Sequence, residues 1–225
     1  MTRGPFTAII TLAAVAALGT LVMGQTPQKP MSPDGVAQAQ VLGTWAKGAR
    51  PAFTLGRETY QNGKWIEITY GRPLQRGRDL FGSGEHYGKA ALDVGAPGFP
   101  APPVWRAGAN VTTRLTTEAT LRFGDKNIAP GAYSLFIDLK PKAWTLIVSN
   151  WAAQAKFDPQ DKSALWGAYG YTPDKDVARI PMKVETLPFD VEQLTWSFVD
   201  MTSAGGKVAI MWGKTMASSA FTASN

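Results

Sequence analysis

Two stretches carry the residue types that could perform chemistry: Tyr70-Gly71-Arg72-Pro73-Leu74-Gln75-Arg76-Gly77-Arg78-Asp79-Leu80-Phe81-Gly82 and Val104-Trp105-Arg106-Ala107-Gly108-Ala109-Asn110. Arg72, Arg76, Arg78 and Arg106 present planar guanidinium forks, which recognise carboxylate, sulfate or phosphate in bidentate fashion. If the two stretches converge, they form an anion site, with Asn110 as an additional hydrogen-bonding group. The alternative is that each arginine braces a loop, through carbonyls or through Asp79, Glu85 or Asp93. Trp105, Trp166, Tyr169 and Tyr171 add a second possibility, since aromatic rings with an apolar face and a polar tip can form a platform for sugar rings or cationic heads. Against it stands core packing, in which an aromatic beside Gly-Ala plugs the end of a sandwich.

Other chemistries lack their parts. His86 is the only histidine and the chain contains no cysteine, so thiolate zinc sites are excluded and a metal site would have to be built from carboxylates, which suits calcium better than zinc. A Ser-His-Asp triad would have to use His86, and Ser83 is too near it to form the strained nucleophile turn of known hydrolases. Asp158 to Lys162 and Asp174 to Asp176 lack the ligand spacing of an EF-hand loop and read as solvated turns. A hydrolase would rest on Glu85, His86 or Asp93 with arginine stabilising developing negative charge. No cofactor is implied.

The stretches need a scaffold, and the periodicity of the chain supplies a β one. Ile66, Ile68 and Tyr70 share one face against Trp65, Glu67 and Thr69, the period-two pattern of a half-buried strand. Gln61-Asn62-Gly63 reads as a hairpin turn between Phe53 to Tyr60 and Lys64 to Tyr70. From Asn110 the alternation is regular: Val111, Thr113, Leu115 and Thr117, then Ala119, Leu121 and Phe123. Beyond the turn at Gly124-Asp125-Lys126-Asn127 come Tyr133, Leu135, Ile137 and Leu139, and beyond Lys140-Pro141-Lys142 come Trp144, Leu146 and Val148, which together describe a meander. Val177 to Val184, Glu192 to Asp200 and Lys207 to Trp212 close the domain, with a hairpin turn at Met201 to Gly206. Val36 to Trp45 reads as an edge strand. The long segments Gly82 to Pro103 and Asn150 to Asp176 exceed plain connections, which marks them as functional or mobile.

The expected fold is therefore all-β, a single antiparallel, jelly-roll-like sandwich of about 8–9 strands with two long loops. The large inward residues Trp144, Trp196 and Trp212 predict a filled core rather than an open barrel. With no cysteine, stability must come from apolar burial.

The N-terminus fits a secretory signal: Arg3 supplies the positive charge, Phe6 to Met23 is apolar and uncharged, and small residues precede Gln25. The competing reading is an uncleaved anchor, the one route to a membrane. The domain plan is a helical signal peptide at 1–24, a flexible linker at 25–35, the sandwich at 36–217 and a flexible tail at 218–225, with the mature protein periplasmic or extracellular. The net charge of +6 could favour anionic partners such as lipopolysaccharide or acidic glycans. Cations are scattered and export argues against nucleic acid, so none is expected as partner.

The chain also resembles the secreted bacterial family catalogued as domain of unknown function 2911. The matching stretches are Ile68-Thr69-Tyr70-Gly71-Arg72-Pro73, Arg76-Gly77-Arg78 with Phe81-Gly82, Tyr87-Gly88-Lys89, Val104 to Asn110, Pro130-Gly131-Ala132-Tyr133-Ser134-Leu135-Phe136 and Trp166-Gly167-Ala168-Tyr169-Gly170-Tyr171. The resemblance implies a signal peptide, an all-β domain and no assigned activity, so it carries no catalytic residue onto this chain. Two departures stand out: Ala90 to Pro103 separates two stretches that the family commonly joins, and Val111 stands where the family often has Glu. The sequence thus points to a binding module for an anionic or carbohydrate ligand, with the hydrolase and a purely structural envelope protein as alternatives.

Overall fold

A computed structural model describes residues 32–45, 60–92, 95 and 98–225. The N-terminal signal, most of the linker, Phe53 to Thr59 and Asp93 lie outside the described residues. No helix among those described is long and apolar enough to cross a membrane.

The strands are β1 (Asp34–Val41), β2 (Thr44–Trp45), β3 (Tyr60–Gln61), β4 (Lys64–Gly71), β5 (Thr113–Thr117), β6 (Thr120–Phe123), β7 (Lys126–Ile128), β8 (Gly131–Asp138), β9 (Thr145–Ser149), β10 (Ala152–Ala153), β11 (Ala164–Leu165), β12 (Asp176–Pro181), β13 (Lys183–Thr202) and β14 (Gly205–Ser224). Among the described residues, one sheet runs β1-β4-β5-β8-β9-β12 and the facing sheet runs β13-β14-β6-β7. The predicted antiparallel sandwich is thus present.

The inward stripes meet as expected. Ile66, Ile68, Leu115, Leu135, Ile137, Leu146, Val148 and Ile180 from the first sheet pack against Leu121, Phe123, Leu194, Trp196, Val208, Ile210, Trp212 and Phe221 from the second. Burial of this apolar surface, at about 25 cal/mol per Å², is the main force holding a chain without cross-links.

The pairings correct the sequence reading in three places. β4 pairs with β1 over Asp34↔Gly71 to Val41↔Lys64, and with β5 on its other edge, so its hairpin partner is not the chain immediately before Gln61-Asn62-Gly63. Asn62, at φ 57°, and Leu42, at φ 61°, are instead facing irregularities in a longer hairpin, which β2 and β3 continue through Thr44↔Gln61 and Trp45↔Tyr60. Asn-Gly thus supplies the left-handed backbone without being the turn.

The meander is interrupted as well. β5 and β8 are neighbours, while β6 and β7 between them cross to the other sheet. The corner sits at Glu118, where Thr117 Oγ1 donates to the Ala119 carbonyl at 2.7 Å and accepts from the Ala119 N–H at 3.2 Å. Finally, residues 218–224, expected to be a flexible tail, are the end of β14. They pair with β6 through Thr222↔Arg122 to Ser224↔Thr120 and bury Phe221.

Two central strands of the first sheet, β8 and β9, are buried on both faces. Phe136 and Ile147, pointing away from the main core, pack with Val104, Leu165, Ala168, Tyr171 and Trp151. The segment Asn150 to Asp176 is therefore a cover, pinned by Ser134 Oγ to the Trp151 carbonyl (2.6 Å) and Thr112 Oγ1 to the Leu165 and Gly167 carbonyls (2.8 Å each), and tied within itself by Trp151 Nε1 to the Thr172 carbonyl (3.0 Å).

The far end of the cover is held by Tyr171, whose hydroxyl donates to the Asp176 carboxylate (2.8 and 3.0 Å), while Arg179 binds Asp176 at 3.0 Å and Asp138 at 2.8 Å. Burial, then the neighbouring Asp176 carboxylate, hold the Tyr171 phenol well above its ordinary range. A folded-state value raised above the unfolded one means that this contribution is complete below the ordinary tyrosine value, about 10, and is lost as pH rises beyond it. Stability is therefore expected to fall above about pH 10, with a smaller fall in Tyr171→Phe; urea melts across pH 8–11 compare the two, and parallel curves would contradict the assignment.

Candidate functional site

The stretch after β4 crosses from one sheet to the other. Leu74 bridges Gln193 of β13, the Leu194 N–H donates to the Pro73 carbonyl at 2.9 Å, and the Gln75 N–H donates to the Glu192 carbonyl at 2.7 Å. Pro73 offers only its carbonyl, which suits a position needing no donor. The chain then reverses at Arg76 and Gly77, both with positive φ (56° and 65°), as in the tight turns that require left-handed backbone.

This crossing fixes the arginines in different settings. Arg72 lies along β13, Nε donating to the Leu194 carbonyl and Nη2 to Thr195 Oγ1, both at 3.3 Å, with its aliphatic stem over Gly35. A side chain at Gly35 would collide with that stem, a Cβ falling 2.4 Å from Arg72 Cδ. Arg72 is thus a brace between the sheets. Arg72→Ala is expected to cost about 1–2 kcal/mol and lower Tm by about 2–8 °C, measured by thermal denaturation. Arg76 is exposed, and its N–H donates to Glu192 Oε1 at 2.9 Å.

Arg78 turns back over its own loop, Nε to the Gln75 carbonyl at 2.9 Å and Nη2 to the Leu74 carbonyl at 2.7 Å, with Cζ 5.5 Å from the Trp212 ring centroid. Here it faces a cleft of about 880 Å³ at one end of the sandwich. The cleft is walled by the 75–84 loop and Tyr87, the Pro141-Lys142 turn, β13 at Val184 to Thr186 with Asp190, and β14 at Trp212 to Thr215. The β13 wall is irregular: its register with β14 shifts between Thr186 and Val191. Such bulges re-aim side chains beside sites, and this one brings Asp190 to the cleft.

The floor is rigid. Trp105, expected either as platform or plug, is a plug with 1% exposure, stacked on Trp212 (5.9 Å, 11°) and edge-on to Trp144 and Phe81. Trp144 Nε1 donates to the Tyr87 hydroxyl at 2.6 Å, which ties the loop wall to the core. Asp79 Oδ1 accepts the Gly82 N–H at 2.9 Å and shapes the loop from within.

The charges lining the cleft are mixed: Arg78, Lys142 and Lys214 against Asp79, Glu185 and Asp190. Glu185 is paired with Lys183 at 2.8 Å, and Arg78 and Asp79 serve the loop backbone. Among the described residues, Lys142, Lys214 and Asp190 have no such internal duty. The cleft therefore offers two ammonium groups and one carboxylate to a ligand. Sequence reasoning missed all three. Only the Lys140-Pro141-Lys142 turn was visible, and nothing local marks Asp190 or Lys214 as neighbours of Arg78.

Arg106, Asn110 and Tyr169 lie elsewhere. The two stretches do touch, the Ala109 N–H donating to the Gly71 carbonyl at 3.2 Å, yet their guanidiniums diverge. Arg106 is buried against the cover: Nη1 donates to the Asn110 carbonyl, the guanidinium lies 5.6 Å from the Tyr169 centroid, and it fills the space beside Gly167. Asn110, at φ 60°, is exposed and donates to the Ser32 carbonyl at 3.4 Å. Tyr171 is core. Glu85 and His86 sit exposed in a short 3-10 turn, Gly84–His86. Among the described residues no group of three His, Asp or Glu is placed to hold a metal ion.

A family model described as "Protein of unknown function (DUF2911)" matches residues 54–221. No curated protein and no solved structure matches the chain. The match spans both sheets of the sandwich, the arginine crossing and every wall of the cleft, and the chain belongs to the DUF2911 family.

Proposed function

We propose that this protein is a binding module of the cell envelope whose cleft takes an anionic or carbohydrate ligand, best of all one that is both, an acidic saccharide. The observation that carries the reading is the pair Lys142 and Lys214, without partners among the described residues, in the same cleft as Asp190 and Arg78. Two ammonium groups suit the carboxylate or sulfate of such a sugar. Asp190, the Gln75 amide and the Thr186 hydroxyl suit its hydroxyls. A dense polyanion fits less well, because Asp79, Glu185 and Asp190 line the same walls. Asp79 already accepts the Gly82 N–H and Glu185 already pairs with Lys183, so the carboxylates of the cleft match ligand binding better than the paired acid and base of a hydrolase.

A thermal-shift screen with uronic-acid oligosaccharides, sulfated sugars, inorganic phosphate and neutral sugars tests this. The expected result is a rise in Tm with acidic saccharides that disappears in Lys142→Met/Lys214→Met. Absence of any shift, or a shift that the double variant retains, would overturn the reading.

Export belongs to the same proposal, supported by Arg3, the uncharged run Phe6 to Met23 and the small residues before Gln25. Fractionation of cells expressing a C-terminally tagged chain should find it outside the cytoplasm with Gln25 as first residue. An intact N-terminus in the membrane fraction would instead support the anchor.

A further inference from the structure

Four rings on the cover segment and its neighbour belong to neither core cluster. Tyr169, Phe99, Phe157 and Trp166 follow one another with centroid separations of 5.8, 6.5 and 6.1 Å. Phe157 is 41% exposed, and the other three are partly exposed. A contiguous strip of partly exposed rings differs from the single scattered apolar residues of an ordinary surface.

The strip is also held in place. Arg106 supports Tyr169 from the buried side, and the Tyr169 hydroxyl donates to the Gly95 carbonyl at 3.4 Å. Lys162 Nζ, bonded to the Pro159 carbonyl at 2.7 Å, stands 4.1 Å from the Phe99 centroid. The loop carrying Phe157 is closed by the buried Gln154 amide, whose nitrogen faces the carbonyls of Asp158, Asp161 and Ala164 at 2.9–3.1 Å while its oxygen accepts the Asp158 N–H at 2.9 Å. Rings fixed in this way form a preformed surface, which lowers the ordering cost of binding.

The rim decides the occupant. Lys156 and Lys162 are balanced by Asp158 and Asp161 along the same loop. An anionic lipid surface or polyanion calls for a net positive rim, and a cationic partner for a net negative one. A neutral saccharide needs neither: its C–H faces lie on rings, and its hydroxyls reach alternating donors and acceptors.

We infer that Tyr169, Phe99, Phe157 and Trp166 form a second binding surface, separate from the cleft, that stacks the sugar rings of a neutral oligosaccharide. Titration of the purified protein by calorimetry, with neutral gluco-, xylo- and manno-oligosaccharides, a uronic-acid oligosaccharide and anionic phospholipid vesicles in separate arms, tests it. At least one neutral oligosaccharide should bind, and Phe157→Ala should weaken it by about tenfold with Tm unchanged. Lys142→Met/Lys214→Met should leave that binding as it was. No neutral binding, neutral binding that Phe157→Ala leaves intact, or vesicle binding lost in Phe157→Ala would each overturn the inference. Loss of acidic-sugar binding alone would instead count against the cleft.

Discussion

Trp105→Ala is expected to destabilise the protein by about 3–5 kcal/mol, the cost of emptying a fully buried large aromatic site. Trp105 touches Trp212, Trp144 and Phe81, and its backbone bridges Ile137 through two hydrogen bonds of 2.8 Å. The bridge would survive the substitution, but the ring stack under the cleft would not. At about 2–4 °C per kcal/mol for a chain of this size, Tm should drop by roughly 6–20 °C. Urea denaturation followed by far-UV circular dichroism measures it, with Trp105→Phe as the milder control. A loss below about 1 kcal/mol would mean that the ring is not the plug described.

Gly71→Ala is the second large effect, and it arises from space rather than backbone angle. A Cβ at Gly71 would lie 2.0 Å from the Ala109 carbonyl oxygen and 2.8 Å from its carbon. Backbone cannot swing aside as a flexible side chain does, so the cost should reach the upper end of the ~1–3 kcal/mol expected for overpacking. The same substitution at Gly77, whose Cβ would meet open space, should cost only the strain of its φ of 65°, about 1 kcal/mol. Denaturation midpoints of the two variants compare them directly. Equal losses would contradict the close approach of the two loops at Gly71 and Ala109.

Much of the scaffold was legible because one face of each strand is buried in a single main core. Ile66, Ile68, Leu135, Ile137, Leu146 and Val148 alternate with polar residues or with residues of the opposite face, and the core takes those stripes as read. The outer cluster was less visible. Phe136 and Ile147 break the polar side of the alternation, which is the mark of a strand buried on both faces, and they are where the Asn150 to Asp176 cover docks.

Pairing was harder to read than strand identity. Asn62-Gly63 signals left-handed backbone, and a bulge satisfies that requirement as well as a turn does. The excursion of β6 and β7 leaves no trace in period two, because both sheets need the same alternation. The C-terminal residues look polar and small, yet Phe221 packs them against Phe123 and Phe198 while their backbone pairs with β6.

The site divided along the same line. Side-chain type identified Arg72, Arg78 and Arg106 as unusual, but direction depends on which sheet each loop crosses. Arg72 follows β13, Arg78 faces the cleft and Arg106 goes under the cover. Lys142, Asp190 and Lys214 are far apart in sequence: the long β13–β14 hairpin sets Asp190 near Lys214, and the turn between β8 and β9 brings Lys142 from the facing sheet.

The most direct measurement is NMR mapping of backbone amide shifts as a uronic-acid oligosaccharide is titrated into the labelled protein. The account predicts shifts concentrated in the 75–84 loop, at 141–142, along 184–190 and at 212–215, with the Trp212 indole N–H among them. Shifts confined to other surfaces, or none at saturating sugar, would contradict the assignment of the cleft as the binding site.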